Sequence, residues 1–296
     1  MKVQVATVCL LACAWPSVVG GQAPATKTDP LHRQYREGEK LVYRMTGINE
    51  NWHYEVVASG VVKKDAAGRF FEEYQWEQMK TAGQEIPLAA SMADYRQRLT
   101  LDPAENPSAP DLTKVDPKAI GPITDLMTFY ADLWLANKLG QLKKAGDHFY
   151  FRNPMPASSW ADGTHVLVGM SAIDFDMTLK SVDAAAGTAV LEVKHVPPEK
   201  SALPDKAAWM QVPVGTAPNN WMTVARSAEG KFDAGVGEET FTDEITISLA
   251  DGHILSATMD NPVKTIERVC EDEALTRCGD AKPHLIVRKI EIALQK

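Results

Sequence analysis

One stretch of this chain carries a helical period, and that constrains its fold more than any other feature. In ITDLMTFYADLWLANKLGQL (123–142), Ile123, Leu126, Met127, Tyr130, Leu133 and Trp134 recur at steps of three and four. Phe129 and Leu135 widen the apolar face, Pro122 precedes it, and Asp125 and Lys138 suit the two ends of the helix dipole. The rest of the patterned chain alternates with period two. Parallel neighbours need long crossovers, usually helices, so strands that follow one another without helices exclude a doubly wound α/β sheet. The expected fold is mainly β (α+β), a large curved antiparallel sheet or half-barrel wrapping one main helix.

The strands are punctuated by turn signals. EKLVYRMTG (39–47) alternates Leu41, Tyr43 and Met45 against Lys40, Val42 and Arg44. WHYEVVASGVVKK (52–64) and RFFEEYQWEQM (69–79) flank DAAG, a turn with Asp first and Gly last, and read as a hairpin. SSWADGTHVLVGMSAIDFDMTLKSVD (158–183) turns through AAAG into TAVLEVKHV (188–196). A turn centred on Ala185 sets Leu179 opposite Leu191, Met177 opposite Val193, Phe175 opposite His195 and Asp176 opposite Lys194. The C-terminal third is a meander in which HILSATM and TIERVC are separate strands and ADGH centres a two-residue hairpin turn. Residues 80–122 and 197–220 are proline-rich connections, the first with room for a helix near 90–100.

The N-terminus reads as an export signal: Lys2, then an apolar run from Val3 to Ala14, then Pro16, Gly20 and Gly21. The run falls short of the roughly twenty residues of a membrane span. Residues 1–21 are therefore assigned to a signal peptide, 22–34 to a polar disordered linker and 35–296 to a single β-rich domain. The alternative is lipid attachment at Cys13, which ends LLAC. Export, periplasmic or extracellular, leaves Cys270 and Cys278 as a pair in an oxidising compartment, where a disulfide is the simplest outcome. A zinc knuckle would need more ligands nearby, and a redox pair a tighter Cys-x-x-Cys spacing. No later segment is apolar enough to span a bilayer. The net charge of −8 disfavours nucleic acid, which requires a basic surface.

YREGEKLVYRMTG resembles the opening strand of secreted bacterial proteins of unknown function, in which Gly-Glu-x-Leu-x-Tyr begins a β-rich domain. GPITDLMTFYADLWLA, GDHFYF, SWADGT, PNNW and LADGHILSATMDNPV are similar to stretches of the same uncharacterised exported family. The resemblance covers most of the chain and implies no activity. The architecture is distantly similar to periplasmic lipoprotein-carrier-like half-barrels, which hold acyl chains on a concave apolar face.

No nucleophile elbow, zincin motif, phosphate loop or dinucleotide fingerprint is present, and no cofactor or metal is expected. Asp162 and His165 in WADGTH have base-and-orienter spacing, against a plain turn. Asp174 and Asp176 share a strand face, as a carboxylate pair or as solvent-facing positions. His195 shares an apolar face with Leu191 and Val193 and reads as a core histidine; His53 and His148 sit beside aromatics. Trp52, Trp76, Trp134, Trp160, Trp209 and Trp221 are candidate lining for an apolar cavity. The expected function is an exported binding or carrier protein for an apolar, lipid-like ligand, with loops 81–122 and 197–220 as lids. Alternatives are a structural or protein-docking component of the envelope, and a hydrolase built on Asp162, His165 and Asp174.

Overall fold

The computed structural model describes residues 29–295 except 109, 113–114, 155–156, 160–165, 201–202 and 205–206. The chain runs β1 (Lys40–Asn49), β2 (Trp52–Lys64), β3 (Phe70–Thr81), β4 (Gln84–Ile86), β5 (Gln97–Leu99), α1 (Pro117–Leu139), β6 (His148–Phe151), β7 (Ser158–Ser159), β8 (Val166–Ser171), β9 (Asp174–Asp183) and β10 (Thr188–Val196). It continues through β11 (Trp221–Arg226), β12 (Phe232–Glu239), β13 (Phe241–Ser248), β14 (Ile254–Cys270) and β15 (Lys282–Leu294). These strands form one open antiparallel sheet curved around α1, the fold class the patterning predicts.

The sheet forks at β14. This 17-residue strand pairs along one edge with β15. Its other edge is divided: residues 254–260 face β13 and residues 263–270 face β12. One arm runs outward from β14 through β13, β10, β9 and β6; the other runs through β12, β11, β8 and β7. The trunk continues from β15 to β1, β2 and β3. Polar side chains stitch the fork. Asn220 donates to the carbonyls of Ala172 and Glu239 (both 3.0 Å) and accepts from the Glu239 N–H (2.7 Å).

The concave face is filled. Ile123, Leu126, Phe129 and Leu133 of α1 share one core with Tyr43 and Met45 of β1, Met177 and Leu179 of β9, Leu191 and Val193 of β10, and Ile245 and Ile247 of β13. Each such side chain contributes about 1.5–3 kcal/mol by leaving water. A smaller core lies under the second arm, built from Met222, Val224, Phe232, Ala234 and Val236 with Met210 from the 197–220 connection and Cys270 and Leu275 from the cysteine loop. Cys270 and Cys278 are bonded and close that loop, which fits an oxidising environment. No described helix is long and apolar enough to cross a membrane.

Several details differ from the sequence expectation. The helix begins at Pro117, capped by Asp116, and Pro122 lies inside it. The bond Pro122 deletes would have ended on the carbonyl of Lys118, an exposed residue, so water can serve it. The segment near 90–100 holds only a 3₁₀ turn at Ala90–Ala93 before β5. The register of β9 on β10 is as expected at all four pairs. The run 158–183, however, breaks at Ala172, and β8 leaves to pair with β11. HILSATM and TIERVC are one strand, β14. The ADGH connection is four residues long, closed by Ser248 N–H to the His253 carbonyl at 3.0 Å, with Gly252 at φ 73°. Leu31 and Arg33, within the segment expected to be linker, are buried.

Candidate functional site

Three buried acidic groups lie along α1 and the trunk, and the partners of each decide its role. Asp125 accepts from Tyr54 Oη at 2.6 Å and pairs with Arg288. Glu72 accepts from Arg33 Nε at 3.0 Å, Tyr74 Oη at 2.9 Å and the Tyr130 hydroxyl. Both carry a cation and hydrogen bonds, as buried charges must. The third set has no cation. Asp132 of α1, His195 of β10 and Asp243 of β13 offer ligand atoms that all lie within 4.8 Å of one another. Among the described residues, no lysine or arginine pairs with either aspartate.

Elementary patterning places these three together. Asp132 lies next to Leu133 on the buried side of α1. His195 alternates with Val193 and Leu191 on the inward face of β10, and Asp243 alternates with Ile245 and Ile247 on that of β13. Val193 pairs with Asp243 in the ladder, so His195 stands diagonally across from it. His195 Nε2 lies 2.9 and 2.8 Å from the two oxygens of Asp132. The imidazole is packed between Phe175 and Phe241, with ring centroids 4.7 and 3.5 Å away.

Burial dominates the electrostatics. Desolvation pushes Asp132 up to about 7, against a bond from Asp243 that lowers it. Asp243 is raised by desolvation, then by the Asp132 charge. His195 is lowered to about 4 by desolvation, with Asp243 and Glu239 opposing. Glu239, at the end of β12, is also raised by burial, and Asn261 and Ser171 hold it. Neither oxygen of Asp243 receives a hydrogen bond from an N–H or hydroxyl, and His195 Nδ1 has no partner. The remaining contact of Asp243 is with Asp132, across which a proton or a cation can sit.

The residues singled out from sequence are dispersed. Asp162, His165 and Trp160 lie outside the described residues. Asp174 accepts from Tyr150 Oη and Asn153 N–H at 2.9 Å each, while Asp176 pairs with His148 Nε2 at 2.5 Å. They do not act as a pair, and Lys194, opposite Asp176 in the ladder, turns to Glu192. His195 is a core histidine as expected, but its acidic company is not. Trp52 packs on Tyr54 at 5.1 Å, Trp76 donates to Gln97 at 3.1 Å, and Trp134 donates to the carbonyls of Asp102 and Glu105. Trp209 donates to the Leu275 carbonyl under Arg268, and Trp221 is buried at the start of β11. These tryptophans pack loops onto the two cores and converge on no single cavity.

Among the described residues, two clefts of about 470–480 Å³ open on the surface, and of the tryptophans only the Trp221 ring borders one of them, at Gly235 of the second. One, about 480 Å³, lies over Thr46, His53, Tyr54, Lys80 and Glu291. The other, about 470 Å³, is a groove on the outer face of β11, β12 and β14. Its floor is Thr223, Ala225 and Gly235, and its walls are Asp233, Glu267, Val269 and Lys282 with Gly279 and Asp280 of the cysteine loop. A methyl on Gly235 would meet Thr223 Cγ2 at 3.3 Å and the Trp221 ring at 3.4 Å, so the floor is as low as side chains allow. No family model, curated protein or solved structure matches this chain.

Proposed function

We propose that the protein is an exported binding protein that holds a small, largely apolar ligand in the groove over β11, β12 and β14. The observation that carries this is the groove's construction. Three adjacent strands present Thr223, Ala225 and Gly235 side by side, and Val269 stands 45% exposed at the wall. Its volume, about 470 Å³, lies in the range of small-molecule sites. The disulfide-closed loop forms one rim, which gives the cysteine pair a role in shaping the site. Asp233, Glu267, Arg268 and Lys282 ring the mouth and can orient a polar head. The concave face, on which the half-barrels it resembles hold acyl chains, is filled by α1 here, which favours the outer groove for a ligand. The resemblance to an exported family and the N-terminal export pattern support placement outside the cytoplasm, periplasmic or extracellular.

Docking through a sheet edge is less well supported. The outermost strands, β4, β5, β6 and β7, are two to four residues long, a length that blunts edge pairing. The test is organic extraction of the protein purified from its exported compartment, with mass spectrometry of what co-purifies, alongside titration with an apolar fluorescent probe. The expected result is a stoichiometric small molecule, or saturable probe binding that Gly235→Leu and Ala225→Phe abolish while the protein stays folded. Probe binding unchanged in both variants, or none in the wild type, overturns the reading.

A further inference from the structure

The groove leaves one feature of the molecule unused: the acid–histidine cluster in the core. We propose that Asp132, His195 and Asp243 bind a single divalent transition-metal ion, Zn²⁺ by their donor set, which clamps α1 to β10 and β13. Three observations carry this. The ligand atoms of the three residues are mutually within 4.8 Å, and His195 Nε2 already stands 2.8 Å from Asp132. Ligands about 2.0–2.2 Å from a zinc ion stand roughly 3 Å from each other, so little movement admits the ion.

The second observation is a buried carboxylate whose one polar contact is with another acid, Asp132. Asp243 is 0% exposed and both its oxygens lack a hydrogen-bond donor, although its carboxylate faces Asp132 and His195. Buried polar atoms almost always have partners. The third is the contrast within the same core. Glu72 has Arg33 and Asp125 has Arg288, while the buried acids Asp116 and Asp174, which have no cation, each accept two hydrogen bonds. Two carboxylates, a neutral imidazole and a divalent ion sum to zero charge, which is what a dry core requires. An imidazole among the donors and only three protein ligands suit zinc better than calcium or magnesium, which need six or more oxygens.

The cluster lines none of the clefts described above, so the ion acts as a clamp and not as a reaction centre. A second trio, Glu39, Asp251 and His253, also has ligand spacing, but Arg33 already occupies Glu39 at 2.7 Å. That trio serves as the control.

The test uses the full exported protein, stripped with dipicolinate and reloaded with Zn²⁺ or Co²⁺. The expected result is one equivalent of Zn²⁺ per chain, a melting temperature raised by several degrees, and Co²⁺ absorption in the visible range of a four-coordinate N/O site, its fourth donor a second carboxylate oxygen or a water. Asp243→Asn and His195→Gln should weaken binding on the order of 100-fold or more, since loss of outer-shell partners alone costs 10–100-fold. His253→Gln should leave it unchanged. If folded wild type takes up no equivalent of metal, or if His253→Gln abolishes binding while Asp243→Asn does not, the proposal falls. Should the core variants fail to fold, the Co²⁺ spectrum and stoichiometry of the wild type still decide: no four-coordinate band means no site.

Discussion

Replacing Arg33 by Met is a sharp test of how the N-terminal segment is held. Arg33 is 3% exposed and its donors are engaged. Nε reaches Glu72 at 3.0 Å, Nη2 reaches Glu39 at 2.7 Å, and Nη1 reaches the carbonyls of Gln34 at 2.9 Å and Asp251 at 3.2 Å. Burial works against the charge, but Glu72 and Glu39 outweigh it and the guanidinium stays protonated. Met keeps most of the stem and removes every one of these bonds. Glu72, 0% exposed, is then a buried carboxylate held only by two tyrosine hydroxyls. Breaking one side of such a pair costs about 3–5 kcal/mol, a large part of a typical stability of about 5–15 kcal/mol. Urea unfolding followed by tryptophan fluorescence measures it. The Arg33→Met/Glu72→Gln double variant should recover about 2 kcal/mol of the summed single losses, because it leaves no uncompensated charge. A single-variant loss below about 1 kcal/mol, or singles that simply add, would refute the reasoning.

Cys270→Ser/Cys278→Ser should lower stability by about 2.5 kcal/mol for a loop of this length, read as the shift in urea midpoint against wild type, and should weaken probe binding in the groove. An unchanged midpoint would mean that the Leu275 and Trp209 contacts alone hold the loop. Gly252→Ala should cost about 2 kcal/mol or more: φ is 73° and the new Cβ would stand 2.1 Å from the His32 carbonyl oxygen. Gly230→Ala, with φ 82° and open space around it, should cost only the conformational part of that; equal losses would dismiss the His32 contact. All seven tyrosines are raised, chiefly by desolvation, Tyr95 and Tyr150 to about 12. A raised phenol favours the folded state fully below pH 10 and loses that advantage as the pH climbs past 10. Absorbance at 295 nm should therefore stay low until unfolding releases the phenols in one step, apart from the contribution of exposed Tyr150; gradual ionisation of several tyrosines from pH 10 would contradict the burial.

What was legible in the sequence was whatever depended on local period. The β2–β3 hairpin around DAAG and the β9–β10 register around AAAG rest on alternation and turn chemistry, and the existence of α1 on steps of three and four, all within short stretches of chain. Arg33 was not legible, because its meaning lies in Glu72 and Asp251, far along the chain. The metal-ligand trio was half legible. His195 showed itself on an inward face; Asp243, in phase with Ile245 and Ile247, was not singled out but could have been found the same way. Asp132 could have been found as an acid beside Leu133, within the apolar run of the helix. What no periodicity could say was that three separate inward faces meet at one point, because that follows from the fork.

The fork also explains two sequence features that pattern alone misread. A proline in the middle of a long strand normally argues against a strand, since it cannot donate to the ladder. In β14, Pro262 falls between residue 260, the last to pair with β13, and residue 263, the first to pair with β12. On that edge there is no partner waiting for its N–H, so the strand runs on unbroken. Its carbonyl still accepts from Thr240 N–H at 3.4 Å, where the chain steps from β12 to β13. The Asn-Asn of PNNW serves the same place. Asn220 closes the gap between Ala172 and Glu239, and Asn219 ties the carbonyls of Met210 and Val212 at 2.9 and 2.8 Å to the start of β11. A sheet that splits must leave backbone groups without ladder partners at the split, and buried backbone groups must be satisfied. The amides of Asn220 and Asn261 do that, and the missing donor of Pro262 removes one group that would otherwise need it. Stretches such as DNPV and PNNW, which read as interruptions between strands, are in these terms the chemistry that lets one sheet become two arms and brings β10 and β13 over α1.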